Sequence, residues 1–222
     1  VVLLQEHRTK EVEVPSRIAD FSREGWKLAM GPAWSTGSAH NASSGGVAVA
    51  ARSPIGLVSN AEVVPHQFQH RITCAWMGGI IKGGIHKFSV YFAPCEGLSP
   101  RNRECFEVLG SIVCTVKGPW VIGGDFNMTP ALVQESGFLE LVGGVIQAPE
   151  LATCNDTTYD YFIIPKRMVP TVVKVQVIMD DGVRPHHPVR LLLAANMRRL
   201  YTRVLVRPRK VDALTGMMGP IA

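Results

Sequence analysis

The sequence predicts an α/β protein in which β-sheets pack face to face with helices outside. Three observations predict it. Strand-like runs outnumber helical ones, helices interrupt the strands at irregular intervals, and 222 residues, 46% of them hydrophobic, suffice for one sizeable core.

Residues 1–4, "VVLL", form a continuous apolar run, the pattern of a strand buried on both faces. "PSRIADFSREG" follows, with Ser16 as the cap of a short helix and Gly25 as its end. "GGVAVAAR" (45–52) and "HRITCAWM" (70–77) read as strands. Gly78-Gly79 and Gly83-Gly84 punctuate a hairpin into "HKFSVYFAP" (86–94), where Phe88, Val90 and Phe92 alternate with Lys87, Ser89 and Tyr91. Residues 100–116 carry the strongest helical signal. Ser99 caps them, Pro100 suits the first turn, and Cys105, Leu109, Ile112 and Val116 form an apolar stripe with Phe106 and Val113 beside it. A strand over 120–123 ends in two glycines, and a short helix over 130–136 closes at Gly137. Further strands are predicted at 159–164, 171–178 and 188–193.

Five cysteines (Cys74, Cys95, Cys105, Cys114 and Cys154) include no C-x-x-C, which argues against a disulfide framework or a zinc site and favours a reducing compartment, nuclear or cytoplasmic. No apolar run is long enough for a membrane span. The start, "VVLLQEHR", shows neither an initiator Met nor a signal-peptide layout and reads as a strand with its lead-in missing. The formal charge of +5 is unevenly spread. Residues 190–210 hold seven Lys/Arg and no Asp/Glu, leaving 16 basic against 18 acidic residues elsewhere. This divides the chain into a domain over 1–193 and a basic extension or linker over 194–222, which is either a polyanion-binding segment or a solvated connector.

Polar residues gather at predicted strand ends: Gln5-Glu6-His7 after "VVLL", Tyr91 near the end of 86–94, Asp125 and Asn127 after the glycines, and Asp160 with the pair His186-His187 late in the chain. Strand ends on one rim offer a rigid scaffold open to ligand. Asp and Asn are poor strand formers. Burying them without partners costs roughly 1–3 kcal/mol each. Either Asp125 and Asn127 serve chemistry or they form an Asx turn launching the helix at Thr129-Pro130.

In this order, Q-E … Y-x-x-P … G-D-F-N-x-x-P … D-Y … H-P-V, the residues resemble the endonuclease/exonuclease/phosphatase family. Within it they are most similar to the exonuclease-III-like, apurinic-type endonuclease domains of non-LTR retroelements. The resemblance spans 1 to about 193, and "IGGDFNMTP" is its most specific piece. It implies a DNase I-like fold, a four-layer α/β sandwich of two packed mixed β-sheets flanked by helices. It implies a phosphodiesterase, with Glu6 binding Mg²⁺ or Mn²⁺ and Asp125 orienting and deprotonating the attacking water. Asn127 would donate to a phosphate oxygen or help fix the metal site. Tyr91 would donate to the phosphate, and His187 would contact a non-bridging oxygen while held by Asp160. Arg8, Arg52 and the basic extension would surround the acidic centre.

Two departures qualify the resemblance. The family's first strand, which brings an asparagine to the site, is absent, leaving an unpaired edge or a gap. The family's S-D-H-x-P-V has Asp immediately before its catalytic His. Here that position holds His186, an imidazole that suits Mn²⁺ or Zn²⁺ better than Mg²⁺ and so would change metal preference or mark a decayed site; Asp180 and Asp181 lie near enough in sequence to substitute. His66 and His70 read as a surface loop, "GGIIKGG" lacks the ending of a phosphate-binding loop, and Cys95 and Cys154 read as plain. Three functions follow: a DNA endonuclease, which the retroelement resemblance would join to a reverse transcriptase in a longer chain; a hydrolase of another phosphoester; or a degenerate copy that only binds nucleic acid.

Overall fold

The structure, a computed structural model, describes residues 1–37, 43–79, 81–179 and 184–195. Asp180, Asp181 and most of the basic extension lie outside the described residues. The chain opens with β1 (Val2–Leu4) and α1 (Val14–Arg23), then runs through β2 (Trp26–Gly31), β3 (Trp34–Ser35), β4 (Ser43–Ser44), β5 (Val47–Arg52) and β6 (Leu57–Ser59). It continues with β7 (Ile72–Met77), β8 (Ile85–Tyr91), α2 (Pro100–Thr115), β9 (Trp120–Asp125), α3 (Pro130–Glu135) and α4 (Phe138–Val142). β10 (Gly144–Gln147), β11 (Asp160–Pro165), β12 (Val172–Val177) and β13 (Val189–Leu193) complete it.

Local chemistry sets several of these boundaries. The Ser99 hydroxyl accepts from the Asn102 amide at 3.3 Å, and Pro100 occupies the first turn of α2. Thr129 caps α3 in the same way, accepting from Leu132 N at 3.4 Å. α1 starts earlier than predicted. Pro15 sits in its first turn, and Ser16, expected as the cap, donates instead to the Glu13 carbonyl at 2.8 Å. β2, β6, β10 and α4 were not foreseen. Their apolar runs are short or interrupted, and pairing with neighbours decides their conformation.

Six strands form one sheet in the order β10-β11-β9-β8-β7-β6. β8 and β9 pair in parallel across the α2 crossover, and the other described pairings are antiparallel. A second layer holds the three-stranded sheet β1-β5-β2 and the hairpin β12-β13. On one face of the large sheet, Phe88, Val90, Phe92, Ile122 and Ile163 meet Cys105, Phe106 and Leu109 of α2 and Phe138 of α4. On the other face, Ile85, Val121 and Ile164 meet Ala29, Val49 and Ala51 of the second layer, with Leu3 and Leu191 against the same cluster. α1 packs on β2 and supplies the fourth layer. The alternation read in 86–94 thus separates two cores, each large buried side chain contributing about 1.5–3 kcal/mol. No helix among the described residues is long and apolar enough to cross a membrane.

Candidate active site

The register of three strands assembles the centre. Tyr91, the last residue of β8, lies opposite Asp125, the last of β9. Asp125 in turn lies opposite Asp160, the first residue of the antiparallel β11. β9 reaches this rim by running through both glycines, where the predicted strand stopped. A Cβ on Gly124 would come within 2.0 Å of the Val90 carbonyl oxygen, so only glycine keeps β8 and β9 in contact there. Phe126 is fully buried, stacked on Phe92 (5.5 Å) and Tyr161 (4.3 Å), and it anchors the turn that carries Asp125 and Asn127.

Asp125 is only 6% exposed. The Asn127 amide donates to its Oδ1 at 2.9 Å, and Asn127 Nδ2 donates to its Oδ2 at 2.9 Å and to the Phe92 carbonyl at 3.0 Å. The Asx turn and the paired side chains therefore coexist, with Asn127 held at a positive φ of 48°. Burial first, then the neighbouring Asp160, pushes the Asp125 carboxyl up to about 7, against the opposing pull of His186 and the Asn127 amide.

Glu6 arrives from the other layer. Gln5 Nε2 donates to Ser89 Oγ at 2.8 Å and Ser89 Oγ to the Leu4 carbonyl at 2.9 Å, tying the end of β1 to β8. Tyr91 Oη then donates to Glu6 Oε1 at 2.8 Å, and Arg8 lies 3.7 Å from the same oxygen. Burial and the Glu6 carboxylate both hold the Tyr91 phenol protonated, its pKa raised. His7 turns inward beside Gly46, where a Cβ would meet its ring at 2.6 Å.

The imidazole held by Asp160 belongs to His186, not to His187 as the sequence suggested: His186 Nδ1 lies 2.8 Å from Asp160 Oδ2. The backbone decides between them. His186 bridges to Cys154, and the His187 amide donates to the Thr153 carbonyl at 2.7 Å, while the His187 ring meets Arg184 at 3.3 Å. The hydrogen bond to Asp160 raises the His186 pKa against the effect of burial. The missed residue is Thr153. Fully buried, its hydroxyl accepts from the Tyr159 and Asp160 amides at 2.9 and 3.0 Å, so it sets both Asp160 and the histidine segment. No motif in "LATCNDTT" signals that role. Glu6, Tyr91, Asp125, Asn127, Asp160 and His186 thus share one rim.

Two other expectations are corrected. Arg52 lies beyond the Val2↔Ala50 end of its strand pair, away from Glu6, and covers Trp26 at 4.3 Å. His70, read as a surface loop, is buried at 9% exposure, whereas His66 is exposed and lies 3.7 Å from Glu11.

The donor set suits a hard divalent cation. Asp125, Asp160 and His186 offer ligand atoms within 4.8 Å of one another, and Glu6 adds to the negative potential that Asp125 feels. Oxygen donors from one or two carboxylates are what Mg²⁺ takes. His186 commits Nδ1 to Asp160, so the carboxylates form the more available part of the set.

Sheets in two packed layers, helices on both outer faces and a polar centre at the strand ends define a DNase I-like architecture, that of the exonuclease-III-like AP endonucleases. The chain is similar to a 3'-5' exonuclease from Neisseria meningitidis at a TM-score of 0.63 and 18% identity, covering 86% of this chain and 88% of that one. It is similar to the catalytic domain of Xenopus laevis APE2 at a TM-score of 0.63 and 13% identity, covering 90% and 85%. The endonuclease domain of TRAS1, a telomere-specific non-LTR retrotransposon, aligns at a TM-score of 0.55 and 14% identity, covering 84% and 95%. No known family profile matches the chain, and no curated protein matches it.

Proposed function

We propose that the protein is a divalent-metal-dependent nuclease that hydrolyses phosphodiester bonds in DNA. The observation that carries this reading is the meeting of Asp125, Asn127, Asp160 and His186 with Glu6 and Tyr91 on one rim. Glu6 would hold Mg²⁺ or Mn²⁺, which when bound supplies neutralising charge at the phosphate and the leaving oxygen. Asp125 takes the proton of the attacking water, and a carboxylate pKa near 7 suits that task at neutral pH. The water oxygen bonds to phosphorus, the phosphorus–oxygen bond to the leaving group breaks, and the leaving oxygen is protonated by solvent. Asn127 spends its amide on Asp125 and the Phe92 carbonyl, so its role is to position Asp125. Asp160 accepts from His186 Nδ1 and fixes its tautomer, leaving Nε2 for a non-bridging phosphate oxygen.

With the role of the held histidine passing to His186, the preceding position of S-D-H-x-P-V falls on Pro185. The carboxylate charge at the centre then comes from Glu6, Asp125 and Asp160. A retroelement setting is part of the proposal, and the fold it shares with the endonuclease domain of TRAS1 is compatible with it. Nicking of supercoiled plasmid in Mg²⁺ or Mn²⁺, abolished by EDTA and by Asp125→Asn, is the expected result. Hydrolysis of soluble phosphoesters without nicking would transfer the reading to another substrate, and binding without turnover would make the chain a degenerate copy.

A further inference from the structure

A polar cleft of about 290 Å³ is lined by Trp34, His70, Arg71, Arg101 and Glu104. Its floor is Arg71, only 3% exposed. Arg71 Nη1 donates to the Tyr91 carbonyl at 3.3 Å, and the guanidinium sits 5.8 Å from the Tyr91 ring centroid. Arg71 Nε is sealed from solvent without a partner, and no carboxylate pairs with Arg71 among the described residues. Guanidinium stays charged in proteins, so this is a buried positive charge with no carboxylate in ion-pair contact among the described residues. Arg101 lines the same cleft, and burial first, then Arg71 and Arg101, push His70 down to about 4, leaving it neutral at pH 7. Arg101 already reaches Glu96 at 3.4 Å, and Glu104 stands at the rim without an ion pair to Arg71.

The opposite wall is Trp34, 50% exposed, its ring 5.3 Å from that of His70 and tilted by 41°. A large aromatic side chain is thus held in place beside a neutral imidazole and left open on its other side. The Ala33 amide donates to the Thr9 carbonyl at 2.8 Å, so Trp34 is fastened to the segment that carries Glu6 and Arg8. A guanidinium without a carboxylate partner and an open aromatic face lining one cleft match a nucleotide unit, with its phosphate on the cation and its base on the ring.

We propose that Trp34 and Arg71 form a subsite for a nucleotide flanking the reactive phosphodiester, the base stacking on Trp34 and the phosphate pairing with Arg71. The proposal rests on the nuclease reading for the identity of the reactive centre, but its test does not require turnover. Binding of a short labelled single-stranded DNA is measured in EDTA by fluorescence anisotropy, beside an oligonucleotide of the same backbone length built of base-free units. Trp34→Ala is expected to weaken binding of the ordinary oligonucleotide by about 5- to 100-fold, the usual worth of one stacked base, and to leave the base-free one nearly unchanged. Arg71→Gln should weaken both. Because Arg71 is buried, Arg71→Lys, which keeps the charge and loses the planar fork, checks that the loss follows binding rather than folding, with melting temperature measured alongside. Equal binding of the ordinary oligonucleotide by wild type and Trp34→Ala would overturn the proposal, as would equal losses for the two oligonucleotides or no binding by wild type. Trp34-dependent binding without nicking would overturn the nuclease reading and leave this subsite standing.

Discussion

Asp125 carries the largest electrostatic strain of the centre, and its effect on stability has a definite sign. Its folded pKa is raised from 3.8 to about 7, so the folded chain holds this proton more tightly than the unfolded one. Stability contributed by that proton is full below about pH 4 and falls as pH rises to about 7. The raised pKa of His186 acts in the same direction, since its ion pair with Asp160 weakens once the imidazole loses its proton. Asp125→Asn should therefore stabilise the metal-free protein at pH 8, by on the order of 2–4 kcal/mol, and much less at pH 4.5. Urea unfolding at the two pH values in EDTA checks it. The same substitution should cost roughly 10²–10⁴-fold in turnover, so stability and activity move in opposite directions. The histidines supply a second test. His186→Ala should lower cleavage by about 10²-fold or more, and His187→Ala by less than about 5-fold, measured as initial rates of plasmid nicking. This distinction was legible in part. The pattern H-x-P-V places one residue between the histidine and the proline, and in "HHPV" that spacing selects His186. Adjacency to Pro188 drew the reading to the wrong ring. Thr153 was not legible at all, because a threonine that accepts two backbone amides looks in sequence like any loop hydroxyl.

Elements were legible where their own chemistry closes them and illegible where a neighbour does. α2 was visible because a cap, a proline and an apolar stripe agree within one segment. The predicted strand 120–123 stops two residues short of the end of β9 because Gly123 and Gly124 resemble a turn in isolation. Both glycines instead make room for neighbours. A Cβ on Gly123 would lie 2.5 Å from the Phe162 ring and 2.8 Å from Leu3, and one on Gly124 would strike the β8 backbone. The two positions should differ. At Gly123 the obstacles are side chains, which can shift. At Gly124 the obstacle is the Val90 carbonyl, which is part of the β8–β9 pairing that sets Tyr91 opposite Asp125. Gly124→Ala should cost about 2–4 kcal/mol and lower cleavage beyond the loss of folded protein; Gly123→Ala should cost about 1–2 kcal/mol and leave the activity of the folded fraction nearly intact. Denaturation midpoints and specific activities per folded molecule separate the cases. Equal losses at both sites would show that β9 does not depend on close approach at Gly124.

At the scale of the whole molecule, the acidic centre and the source of positive charge lie in different parts of the chain. Residues 1–195 hold 17 basic and 17 acidic residues, so the formal +5 resides entirely in 196–222, which contribute six Lys/Arg and one Asp. A balanced domain with three carboxylates near its centre has little long-range attraction for a polyanion. Arg52 stands at the far end of its sheet, and the basic side chains left are Arg8 beside Glu6 and Arg71 with Arg101 in the Trp34 cleft, too few to draw a polyanion from a distance. Non-specific affinity should then come mainly from the extension, by displacement of counterions. Each extension cation that neutralises a phosphate of duplex DNA should add about 0.9 to the magnitude of the slope of log K against log salt. Removing residues after 195 should flatten that slope by about 3 if half of the six cations engage. It should leave the Trp34 preference for base-bearing over base-free oligonucleotide intact, because stacking is not a counterion effect. Titrations of the full chain and the shortened one across a range of salt concentrations decide the matter. An unchanged slope would place the phosphate contacts on the domain itself, and Arg8, Arg71 and Arg101 would then be the residues to substitute.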